Sequence, residues 1–110
     1  MEFKVYAAGP TPFDPNTFEV PLRNLSSPAA RQVRFKFGKA YGKIDGINLY
    51  GRKAGTSSMM NLGRFNATPA RTAVPLSGDN PEQWEFQARA VKRDQEIGLP
   101  SAVLQATIGN

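Results

Sequence analysis

Apolar and polar residues alternate with period two along most of this chain. In residues 32–37 (QVRFKF), Val33, Phe35 and Phe37 fall on one side and Arg34 and Lys36 on the other, as in a strand with one buried face. Residues 47–52 place Ile47 and Leu49 inward and Asn48, Tyr50 and Arg52 outward. Residues 71–76 place Thr72, Val74 and Leu76 inward. The longest alternation runs through residues 83–91, where Trp84, Phe86, Ala88 and Ala90 share a face. Residues 102–108 follow with Leu104, Ala106 and Ile108 inward. Two weaker strands complete a set of seven: residues 18–22, with Pro21 suited to a sheet edge, and residues 59–65, with Leu62 inward and Gly63 interrupting. Residues 80–94 hold good helix formers, but the apolar positions 84, 86, 88 and 90 lie two apart rather than three or four, which argues against a helix.

Turn formers separate these runs. Ten Gly and nine Pro in 110 residues fit an all-β chain with many turns, and that length is one domain around a single modest core. Three prolines within residues 9–15 hold the chain to extended or turn conformations. Residues 1–20, opening on a short alternation at Phe3 and Val5, are therefore expected to be an N-terminal arm or edge strand, and residues 21–110 the sandwich domain. Residues 1–8 lack the apolar stretch of a signal peptide. No run approaches the roughly 18 apolar residues of a membrane span.

Seven short strands with turn signals about every ten residues are the sequence form of an immunoglobulin-like sandwich. Within it, the series Leu76…Trp84-x-Phe86…Ala90-Val91…Gly98-x-Pro100-Ser101 resembles the end of a fibronectin type III domain. Asp45-Gly46-Ile47-x-Leu49-Tyr50-x-Arg52 is similar to that family's third strand. The resemblance covers residues 21–108. Two positions depart from it: Phe37 stands where the family usually has Trp, and Trp84 where it usually has a Tyr whose hydroxyl bonds the preceding connection. An indole N–H donates but does not accept, so a tryptophan corner keeps the donor half of that bond. The resemblance implies a two-layer sandwich of about seven antiparallel strands without a cofactor. It also implies a non-catalytic role in protein–protein interaction or as a structural module, such as a component of a larger bacterial or phage assembly. The loop between the last two strands, Lys92-Arg93-Asp94 here, is adhesive in some members. The Gly of Arg-Gly-Asp is missing, so integrin-type adhesion is not implied, yet the loop is a candidate contact site together with outward-facing Tyr50, Arg52 and Arg89.

Charge adds a second candidate. The chain carries 14 Lys and Arg against 9 Asp and Glu, and residues 23–71 hold ten of the bases with a single acid, Asp45. Arg34 and Lys36, outward on one strand, and Lys39 and Lys43, in the adjoining connection, form a candidate anion-binding set. Basic residues interleaved with an exposed aromatic hold nucleic acid through phosphate contacts and stacking; outward bases also keep sheet edges from pairing with other chains. The expected partner is another protein, with nucleic acid the alternative and no membrane.

Enzyme chemistry finds little footing. There is no Cys and no His, which removes thiol nucleophiles, Ser-His-Asp triads and the usual Zn, Cu and haem ligand sets. Glu82 in a turn, Glu85 on a solvent face, and Asp94 and Glu96 at a loop tip read as solvated carboxylates rather than a convergent acid–base pair. Residues 38–43 carry the glycines of a phosphate-binding loop without its Gly-Lys-Ser/Thr spacing or helix. The glycosylation patterns at Asn24 and Asn66 are chance matches, and Met59-Met60 reads as strand packing.

Overall fold

The computed structural model describes residues 14–109; the alternation at Phe3 and Val5 lies outside the described residues. Eight strands follow in chain order: β1 Leu22–Ser26, β2 Gln32–Phe37, β3 Gly46–Lys53, β4 Met60–Phe65, β5 Ala70–Ala73, β6 Glu82–Lys92, β7 Gln95–Ile97 and β8 Leu104–Ile108. All pair antiparallel. One sheet has the order β1-β2-β5. The other runs β4-β3-β6, with β7 and β8 both on the far side of β6. The two sheets pack as a sandwich.

The alternating residues meet between the sheets. Val33, Phe35, Phe37, Ile47, Leu49, Val74, Leu76, Trp84, Phe86, Ala88, Ala90 and Ile108 are buried, as the alternation predicts, while Leu62 and Leu104 are partly buried against them. Phe35 of the smaller sheet meets Phe65 of the larger edge-on, with ring centroids 5.1 Å apart, a favoured aromatic geometry. Burial of each large side chain contributes about 1.5–3 kcal/mol. Val20, Leu22 and Ile44 join this core from positions without a clean alternation.

Two copies of the tripeptide Val-Pro-Leu explain the first of these. In both, the N–H after the proline donates to the carbonyl before it: Leu22 to Val20 and Leu76 to Val74, each at 2.9 Å. Proline's fixed φ suits the centre of such a three-residue turn. Both flanking residues are buried and both prolines are exposed. The strand expected at residues 18–22 is therefore displaced to Leu22–Ser26. Before the turn at Pro21, Glu19 makes only an isolated parallel bridge to Leu99. At Pro75 the turn ends β5 early.

The eighth strand comes from a tighter loop than expected. Arg93 (φ 52°) and Asp94 (φ 64°) both adopt the left-handed conformation, as the two centre residues of the favoured hairpin turn do. The chain reverses at once, and Gln95–Ile97 pairs back onto Lys92–Ala90. The edge then breaks at residues 98–103 and resumes as β8, three residues out of step with β7. Across the break, Ala88 N–H donates to Ser101 Oγ at 2.9 Å and Ser101 N–H donates to the Ala88 carbonyl at 2.8 Å. One serine thus satisfies both backbone groups that the missing strand would have paired. Gly98 makes the break possible. Its φ is +74°, and a Cβ there would run into the Phe18 carbonyl oxygen.

Candidate functional site

Pairing of β3 with β6 sets Asn48 opposite Arg89, Tyr50 opposite Gln87 and Arg52 opposite Glu85 on the outer face of the larger sheet. Glu96, brought in by β7, is the centre of this face. Its Oε2 accepts a hydrogen bond from Asn48 Nδ2 at 2.7 Å and another from the Tyr50 hydroxyl, while Arg89 lies 3.5 Å from Oε1. Burial by itself would raise the Glu96 carboxyl, but the hydrogen bonds from Tyr50 and Asn48 and the Arg89 charge outweigh it and hold the group below its ordinary value. The same bond to Glu96, reinforced by burial, raises the Tyr50 phenol above 10.0. Arg89 also donates to the Gly98 carbonyl at 2.8 Å, and Gln87 to that of Ser101 at 2.9 Å. The network therefore ties the broken edge to the centre of the sheet.

Of these side chains, Tyr50, Gln87, Arg89 and Glu96 line a shallow groove of about 310 Å³ together with Met59 and Pro100. Exposed apolar residues adjoin the two apolar lining residues in sequence, Met60 beside Met59 and Leu99 beside Pro100. Of the predicted contact residues, Tyr50 and Arg89 come together here. Arg52 does not. Its Nε is bound to Glu85 Oε1 at 2.7 Å, a contact that, with Gln105, lowers the Glu85 carboxyl.

Lys92, Arg93 and Asp94 lie at the hairpin tip, which is tied to the residue before β3 and to β4. The Arg93 N–H donates to Asp45 Oδ2 at 2.8 Å, lowering that carboxyl. Exposed Asp94 pairs with Arg64 at 2.5 Å.

The expectation that Glu82 is a solvated turn residue is corrected. It begins β6, is 8 % exposed, and accepts from Ser77 N–H at 2.9 Å and Ser77 Oγ at 2.5 Å through one oxygen and from Trp84 Nε1 at 3.0 Å through the other. Ser77 comes first among the donors that, against burial and with Lys53, bring its pKa down to about 2. The tryptophan corner exists in altered form: the indole reaches the preceding connection through this carboxylate. Glu96 is likewise in a strand, not at a loop tip. Among the described residues no three Asp or Glu gather to hold a metal ion.

The predicted anion set divides. Arg34 and Lys36 point outward from β2, as alternation requires. Lys39 instead donates to the Asn66 carbonyl at 2.8 Å, and Lys43 follows the 3-10 turn Ala40–Gly42. Two cations that alternation does not bring out take their place. The strand register sets Arg23 of β1 opposite Lys36 and Arg71 of β5 opposite Arg34.

No protein-family model matches the chain, and no curated protein matches it.

Proposed function

We propose that this chain is a non-catalytic interaction module, resembling a fibronectin type III domain, that binds another protein through the groove on the outer face of its larger sheet. The observation that carries this reading is the groove's composition. Tyr50, Met59 and Arg89 are the residue types enriched where proteins meet, and here they surround a polar network already fixed by Glu96. A partner that docks on fixed side chains loses less entropy than one that must order them. The family resemblance is supported by the sheet split, with the first, second and fifth strands opposite the third and sixth, as in immunoglobulin-like sandwiches. The non-catalytic part of the reading is supported by how the carboxylates are used. Asp45, Glu82, Glu85 and Glu96 are all held below their ordinary values by structural partners, the reverse of a general acid or base poised near neutrality.

The test is retention of a partner by the immobilised chain, compared with Met59→Glu and Leu99→Glu. Both replace apolar surface at the groove and leave the Glu96 network in place. A specific partner should be retained by the wild type and lost by both variants at unchanged thermal stability. Equal retention by the variants, or a turnover abolished by a single carboxylate substitution, overturns the reading.

A further inference from the structure

The outer face of the smaller sheet lies on the other side of the sandwich from the groove. Arg23 and Lys36 face each other across β1 and β2, and Arg34 and Arg71 across β2 and β5. Directly opposed like charges destabilise a sheet. Yet among the described residues none of the four side chains makes an ion pair or hydrogen bond. Arg34 and Lys36 are two residues apart on one strand, hence about 6.8 Å, and neighbouring strands lie about 4.8 Å away. The cations thus form a compact grid. At its edge, β1 is bulged where Asn24 takes a φ of 59°. There Asn24 and Ser26 oppose Arg34 and Lys36 around a shallow hollow of about 320 Å³.

We infer that this face binds the phosphodiester backbone of nucleic acid without reading its sequence. Charge complementarity identifies the occupant as a polyanion, and two observations favour phosphate over an acidic protein surface. The hollow sets amide and hydroxyl groups beside the cations, the combination that contacts phosphate oxygens. Among the described residues the face also lacks the aromatic anchor on which a protein interface concentrates its affinity. Without an aromatic there is no stacking, so backbone contacts alone remain and binding is sequence-independent. Lys39 is held at the Asn66 carbonyl, and Lys43 lies in the connection after the 3-10 turn rather than on a strand of this sheet.

The experiment is fluorescence anisotropy of labelled single-stranded and duplex oligonucleotides titrated with the full chain at low and physiological salt. Up to four phosphates are neutralised, so affinity should fall about 50-fold for a single strand and about 150-fold for duplex between 50 and 200 mM salt. Arg34→Glu/Lys36→Glu should abolish binding. It also turns both like-charge pairs into attractive ones, so its thermal midpoint should hold or rise. Lys43→Glu/Lys92→Glu changes the net charge equally and should still bind. Arg34→Gln/Lys36→Gln keeps the test available should the reversed variant misfold, and should bind more weakly than the wild type. Loss of binding in the Lys43/Lys92 variant equal to that in the Arg34/Lys36 variant overturns the inference, as does binding of poly-glutamate but not oligonucleotide. Absence of salt-dependent binding at 50 mM does so too, and leaves these charges as guards against strand pairing. The groove variants Met59→Glu and Leu99→Glu should bind oligonucleotide like the wild type, which keeps the two surfaces separable.

Discussion

A carboxylate with little access to water needs donors, and Glu82 takes them from Ser77 and Trp84, with Lys53 3.7 Å away. Its folded pKa of about 2 lies below the ordinary 4.5. The stability this contributes is therefore present above about pH 4.5 and is lost as pH falls towards 2. Urea denaturation followed by circular dichroism from neutral to acid pH should show a steep acid-side loss in the wild type. In Glu82→Gln the curve should be lower at neutral pH and flatter below it; a parallel curve would mean that the carboxylate is not coupled to folding. Trp84→Ala removes the indole that shares this carboxylate and a core side chain 2 % exposed, and should cost about 3–5 kcal/mol. Trp84→Phe should cost less and flatten the acid limb in the same way. Alternation placed Trp84 in the core because its inward face is local information. The local pattern puts Glu82 in a turn, because its donors Ser77 and Trp84 sit on either side of the strand start and nothing in the alternation brings them together.

At the scale of elements, the broken edge between β7 and β8 depends on two residues of the Gly-x-Pro-Ser series. A non-glycine at Gly98 pays about 1–2 kcal/mol for its left-handed backbone, and its Cβ also meets a backbone carbonyl that has no flexible end to move aside. Gly98→Ala should lower the denaturation midpoint by more than the conformational term alone. Ser101→Ala leaves the buried Ala88 N–H without its acceptor, a loss of about 1–3 kcal/mol. Amide exchange should accelerate at Ala88 before it does at the centre of β3; unchanged protection there would show that another group takes over. The four-residue series was legible as a motif, and residues 102–108 were legible as a strand. The hairpin strand Gln95–Ile97 was not, since its turn puts Arg93 and Asp94 where Asn-Gly is the usual signal. The cation grid had the same fate for a different reason. Arg34 and Lys36 follow from local alternation, whereas Arg23 and Arg71 join them only through the order β1-β2-β5, which no local pattern carries.

For the whole molecule, titrating groups set the limits of stability at both ends of the pH scale. Asp45, Glu82, Glu85 and Glu96 are all held below their ordinary values, so each contributes stability at neutral pH that acid removes. Tyr50 acts at the other end. Its phenol is raised above 10.0 because the neutral form donates to Glu96 and is shielded from water. That contribution is fully present below pH 10.0 and is lost as pH rises through the higher folded value. The wild type should therefore show a stability plateau between the two limits and an alkaline decline. Tyr50→Phe should sit lower on the plateau, since Glu96 and the broken edge lose a tie, and should decline less on the alkaline side. Glu96 should respond at the acid end. With one of the donors that offset burial removed, its carboxyl should titrate at higher pH, which side-chain carboxyl resonances would follow directly. An alkaline decline identical in both proteins, with Glu96 titrating unchanged, would mean that the phenol and the carboxylate do not share a proton contact in solution. The polar network across the larger sheet would then lack the fixed centre that the proposed docking groove requires.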